Sequence, residues 1–237
     1  VELQLEDISG GGHSLPAAVF WTGHTPGWQA ASTATTASLF SSSWTVGSLP
    51  TDWTHGESCG GGFCADGRRY KLRVRARDRA GNQAAFTNVE ALVVMDPTPP
   101  DSAITFPTTA DDGITTSFAS LTGTAADLVV NGSSSGVTGV EVSIQGNGGP
   151  GAGCHTSAFA WLEGFNDFAN SGGSPLWNTA TFTPGTGVWS YNSAQLEQKV
   201  KLDCFYTVKS RATDRVGSAQ TVSQAVGQTA RRNWRFQ

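Results

Sequence analysis

Charge is scarce in this chain: 14% of its 237 residues are Asp, Glu, Lys or Arg, against about 25% in an average soluble domain. The 15 Lys and Arg are outnumbered by 19 Asp and Glu, for a net charge of -4. No general basic field exists to attract nucleic acid or an anionic membrane surface, so neither is expected as a partner. Apolar runs of about 18 residues are also missing, and membrane insertion is not expected. The opening VELQLEDISGGG has neither the basic start nor the apolar stretch of a signal peptide; an exported chain is expected to carry that signal elsewhere. No run of ten residues shows a helical apolar stripe. What is abundant is Gly, at 29 residues, with 10 Pro. Such a density of turn-formers favours many short strands, in one large domain or two of ordinary size.

Laid on itself, the sequence repeats. YKLRVRARDRAGN, from Tyr70 to Asn82, matches YTVKSRATDRVGS, from Tyr206 to Ser218, at a fixed offset of 136. Upstream, Val1-Glu2-Leu3 matches Val140-Glu141-Val142 at an offset of 139, and Trp44 matches Trp189. Drifting offsets are what loop insertions produce. Between the copies DPTPPDSAITFP, residues 96 to 107, holds four prolines, which forbid helix and keep the backbone extended. Tyr70, Leu72, Val74 and Ala76 alternate with Lys71, Arg73, Arg75 and Arg77, the period of a half-buried strand. The expected fold is all-β: two tandem sandwiches, residues 1–95 and 108–237, joined by a proline-rich linker and first strand over 96–107.

A Tyr opening a strand that ends in A-x-D-x-A-G-N, then a D-x-T-x-P linker and an LTGTAAD strand, resembles the tandem immunoglobulin-like or fibronectin-III-like repeats of large bacterial surface proteins. The resemblance covers nearly the whole chain and implies an extracellular adhesin arm, stalk or fibre segment, with no catalysis. It departs from antibody domains in the placing of Cys154 and Cys204, and Ser218 replaces the Asn of the motif. Tyr70 and Tyr206 are expected to hydrogen-bond back across the corner each follows. Asp78 with Gly81, and Asp214 with Gly217, are expected to close hairpins.

By the same alignment residues 101–139 have no counterpart in the first copy. Two expectations follow: the chain is part of a longer protein, or a neighbouring copy donates a strand and builds a fibre by head-to-tail contact. The C-terminal TARRNWRFQ, with Arg231, Arg232, Trp234 and Arg235, reads as a donor strand, a docking tail or the start of a next repeat.

The ladder Lys71, Arg73, Arg75 and Arg77 either recognises a polyanion or is a solvated face paired with neighbouring acids. Trp161, Phe165, Phe168 and Trp177, in the long insertion of the second copy, either stack on sugar rings or fill a satellite core. Glycan binding through them is the alternative function. A Cys154–Cys204 bridge would close about fifty residues and contribute roughly 4 kcal/mol. Cys59 and Cys64 are suited to a small loop of their own, and an even number of cysteines fits an oxidising compartment.

Asp96, Asp101, Asp111 and Asp112 flank or follow the linker, where carboxylates can collect a hard cation. No contiguous loop has alternating acidic ligands, and no metal or cofactor is expected. Asn131-Gly132-Ser133 has the N-glycosylation spacing. His13, His24, His55 and His155 accompany no hydrolase or metalloprotease motif; Glu141 and Glu163 could face each other as a carboxylate pair, but their spacing in the chain does not set their separation.

Overall fold

The computed structural model describes residues 1–9, 19–21, 28–29, 34–40, 43–47, 49–50, 53, 67–86, 91–107, 113–118, 120–129, 134–221 and 231–236. The chain divides into two compact units, Val1–Thr98 with Val129–Ser134, and Pro99–Leu128 with Ser135–Gln237. Both are built from strands, with antiparallel pairing predominant.

The first unit contains β1 (Glu2–Asp7), β2 (Val19–Trp21), β3 (Trp28–Gln29), β4 (Thr35–Thr36), β5 (Ser38–Phe40), β6 (Ser43–Thr45), β7 (Arg69–Arg75) and β8 (Ala91–Val94). Its main sheet runs β3-β2-β1-β7-β8, with β4 also on β1. Period-two alternation sends Leu3 and Leu5 inward from β1, and Leu5 joins Trp21 and Tyr70 in the core. The edge of the Tyr70 ring meets Trp53 at 4.9 Å. Beside this cluster Arg68 and Asp7, both buried, form an ion pair of 2.9 Å.

The second unit contains β9 (Asp101–Phe106), β10 (Gly113–Thr115), β11 (Ser120–Ala126), β12 (Val137–Gly146), β13 (Phe159–Leu162), β14 (Asp167–Asn170), β15 (Asn178–Thr183), β16 (Val188–Asn192), β17 (Phe205–Asp214) and β18 (Arg231–Phe236), with one short helix, α1 (Ala194–Lys199). The strand path is β10-β18-β17-β12-β15-β16-β11-β9, and the β13–β14 hairpin hangs from β12. Although β9 ends this path, its Ser102 hydroxyl lies 2.9 Å from that of Ser210 on β17. The path therefore folds back on itself and encloses Trp161, Trp189, Trp234, Tyr206, Phe118 and Leu121, all fully buried. Gly123 makes room for one of these rings, since a Cβ there would overlap both the Ala103 carbonyl and the Trp189 indole.

Two segments that the sequence singles out are tied into the second unit. The C-terminal residues form one of its strands. As β18 they pair antiparallel with β17 and parallel with β10, and Trp234 is buried in the core. An indole of that size gains most from complete burial, and here its own unit supplies it. The long insertion is similarly tied down. Gln145 Nε2 donates to the carbonyls of Ser157 and Gly173 at 2.6 and 2.9 Å, and Cys154 is disulfide-bonded to Cys204 across a Cα separation of 5.4 Å.

Candidate functional site

The repeated motif forms the same turn twice. In the first unit the Asp78 amide donates to the Asn82 carbonyl at 3.0 Å and Asp78 Oδ1 accepts from the Asn82 amide at 2.8 Å. In the second the Asp214 amide donates to the Ser218 carbonyl at 3.1 Å and Asp214 Oδ1 accepts from the Ser218 amide at 2.7 Å. Gly81 and Gly217 both have φ of +93°, the left-handed conformation that glycine adopts without a Cβ clash. The tyrosines act alike too. Tyr70 hydroxyl donates to the Trp53 carbonyl at 2.6 Å, and Tyr206 hydroxyl accepts from the Lys201 amide at 2.8 Å.

The second Asp has a different setting. Asp214 is 2% exposed, and a carboxylate oxygen of Asp127, just beyond β11, lies within 4.8 Å of one of its own. Asp127 Oδ2 accepts from the Gly136 amide at 2.7 Å. Asp214 Oδ2 is sealed from solvent and has no hydrogen-bond partner. From the repeat alone Asp214 reads as a turn residue, and Asp127 carries no motif. The signal was present in the copies themselves, because Ser218 stands where the first copy has Asn82. Among the linker acids, Asp96 is buried, Asp101 is exposed and accepts from Gln220 Nε2 at 3.4 Å, and Asp111 and Asp112 lie outside the described residues.

The basic ladder is matched by its own sheet. On β7, Lys71, Arg73 and Arg75 stand opposite Glu6, Gln4 and Glu2 of β1. Arg75 Nε donates to Glu2 Oε2 at 2.7 Å, and Arg73 lies 3.6 Å from Glu6 and 3.3 Å from Gln4 Oε1. Arg77, past the strand end, is exposed. A polyanion would have to displace the acids that already face the ladder. Of the C-terminal basic residues, Arg235 pairs with Asp203 at 2.8 Å. The side chains of Arg231 and Arg232 lie outside the described residues.

The aromatic residues of the insertion do not form a platform. Trp161 is fully buried, its Nε1 donating to the Tyr191 hydroxyl at 2.6 Å, and Phe168 stacks on His155 at 4.1 Å. Arg211 covers the Trp177 ring at 4.2 Å. Phe165 alone of the four is strongly exposed, at 74%. Stacking on a sugar needs an open ring face, and Trp161 and Phe168 use theirs in the core.

The described candidates for acid-base chemistry have partners of their own. Glu163 accepts from the Tyr191 and Ser193 hydroxyls, while Glu141 pairs with Arg211 at 2.7 Å. Burial, reinforced by the Glu163 carboxylate, pushes the Tyr191 phenol far above its ordinary value. Burial likewise lowers the proton affinity of the His155 imidazole, which favours its neutral form. His13, His24, His55, Cys59, Cys64 and the Asn131 sequon lie outside the described residues. No protein-family model and no curated protein matches the chain.

Proposed function

We propose that this chain is a structural or adhesive segment of a bacterial extracellular protein, formed by two tandem immunoglobulin-like sandwiches and without catalytic activity. The observation that carries this reading is the duplication of one scaffold design. Arg75 Nε donates to Glu2 Oε2 at 2.7 Å, and Arg211 Nε donates to Glu141 Oε2 at the same 2.7 Å. Each arginine also covers an aromatic ring, Phe86 at 4.4 Å and Trp177 at 4.2 Å. A repeated module whose charged and aromatic groups serve its own folding suits a spacer or stalk. The disulfide supports an oxidising compartment. Among the described residues no helix is long and apolar enough to cross a membrane.

Stretching single molecules between their ends and probing a glycan array test this reading together. A stalk segment unfolds in two resisted events and leaves the array blank. Saturable binding to one glycan, lost in Phe165→Ala, would overturn it in favour of a carbohydrate-binding module.

The fibre version requires a strand edge to offer. Among the described strands β8 pairs on one side only, with β7, and carries exposed Leu92 and Val93. Such an edge accepts another strand. Sedimentation decides between the versions: association with rising concentration, abolished by Leu92→Lys, identifies a fibre subunit, and a monomer throughout identifies a spacer.

A further inference from the structure

We propose that Asp214 and Asp127 of the second unit form a binding site for a hard divalent cation, calcium by its size and ligand preference. The argument starts from the turn. In the first unit both Asp78 oxygens are satisfied, Oδ1 by the Asn82 amide at 2.8 Å and Oδ2 by the Asn82 side-chain amide at 2.7 Å. In the second unit the equivalent residue is Ser218, which offers its backbone amide to Oδ1 at 2.7 Å. Its side chain lacks the carboxamide that in Asn reaches the second oxygen. Asp214 Oδ2 is thereby left without a donor, and it is buried.

An ionised carboxylate in that position is costly unless a proton or a cation compensates it. No Lys or Arg among the described residues pairs with Asp214. Instead a second carboxylate of the same unit, Asp127, has an oxygen within 4.8 Å. Two acids this close repel each other in a medium of low dielectric constant, and a divalent ion between them removes both the repulsion and the orphaned oxygen. Calcium binds oxygen at about 2.3–2.6 Å, so two oxygens on opposite sides of one ion stand about 4.6–5.2 Å apart. Water completes the coordination. Two protein carboxylates are a sparse ligand set, which sets the expected dissociation constant at about 10⁻⁴–10⁻³ M. The bound ion ties the end of β11 to the end of β17, two strands that are not paired with each other.

The test is calorimetric titration of the full chain with calcium chloride, alongside thermal melts in excess calcium and in chelator. The wild-type protein binds at millimolar or tighter affinity and melts higher in calcium. Asp214→Asn keeps the acceptor for the Ser218 amide and weakens calcium binding at least about tenfold. Ser218→Asn restores the missing donor, so it also weakens calcium binding but raises the melting temperature in chelator. Asp78→Asn, in the matching turn of the first unit, leaves the calcium response intact. The proposal is overturned by a wild-type protein whose heat and melting temperature ignore calcium. It is equally overturned if Asp214→Asn retains the full response, or if Asp78→Asn abolishes it.

Discussion

Asp78 and Asp214 close one turn in two copies, with the same backbone bonds and the same glycine three residues on, yet one is exposed to solvent and the other is buried. The local sequence sets the turn; what packs around it sets the chemistry. The surrounding units differ in the same way. The described core of the first gathers around Leu5, Trp21 and Tyr70, whereas the second surrounds three fully buried tryptophans and is cross-linked by Cys154–Cys204. One turn therefore sits beside two described cores of unequal make-up.

The largest test of that inequality is Trp189→Ala. The indole is fully buried, rests in the space left by Gly123 and donates to the Thr124 carbonyl at 3.1 Å. Its loss should cost about 3–5 kcal/mol through the cavity and the lost contacts. Hydrogen exchange read peptide by peptide should place the whole effect in the second unit. Equal loss of protection in the first would break the comparison.

The corner tyrosines make the opposite claim, that the two copies are alike. Tyr70→Phe and Tyr206→Phe each remove one hydroxyl bonded to backbone upstream, at 2.6 and 2.8 Å. Each should cost about 0.5–1.5 kcal/mol. Denaturant titrations of the two variants should give similar losses, and a difference beyond that range would mean that the corners have diverged.

Acid should again separate the units. His155, stacked on Phe168 and bonded to the Lys199 carbonyl at 3.4 Å, has its affinity for protons lowered, chiefly by burial. Between its folded and unfolded pKa values the unfolded chain binds the extra proton. The associated stability is present above about pH 6.5 and is lost as pH falls through the folded value. Thermal melts taken from pH 7.5 to 5 should show the second unit losing stability in that window, and His155→Gln should flatten the slope. An unchanged slope in the variant would assign the effect to other groups.

The all-β class was legible in the sequence because its signals are local. Strand alternation from Tyr70, the paired Asp-x-x-Gly turns and the linker prolines each act within a few residues, and β7, β17 and both hairpins follow them. Aromatic fate was not legible. Trp161 and Phe165 lie four residues apart, one fully buried and the other 74% exposed, because β13 turns one ring inward and the short turn after it turns the other out. Equally hidden was the destination of β18, since an Arg-rich segment around a single Trp gives no local sign that a parallel partner, β10, waits more than a hundred residues upstream. The Asp127–Asp214 approach was hidden for the same reason: its two halves come from the ends of distant strands.

The smallest expected effect is also the closest comparison. Glu2–Arg75 and Glu141–Arg211 are one ion pair made twice, each half-exposed and each with its guanidinium over a ring. Solvent screening limits such pairs to about 0.2–1 kcal/mol, so Glu2→Gln and Glu141→Gln should both fall in that range and shrink in 1 M salt. They should not be identical, however. Glu2 Oε2 also accepts from Gln83 Nε2 at 3.0 Å, whereas Glu141 has Arg211 as its side-chain partner. The Glu2 variant keeps an amide acceptor for Gln83 and loses only the charge, but Glu2→Ala loses both bonds. Double-mutant cycles against Arg75 and Arg211 should return equal coupling energies, with the alanine variant of Glu2 costing more than that of Glu141. If the couplings differ instead, the two copies share a geometry without sharing its energetics.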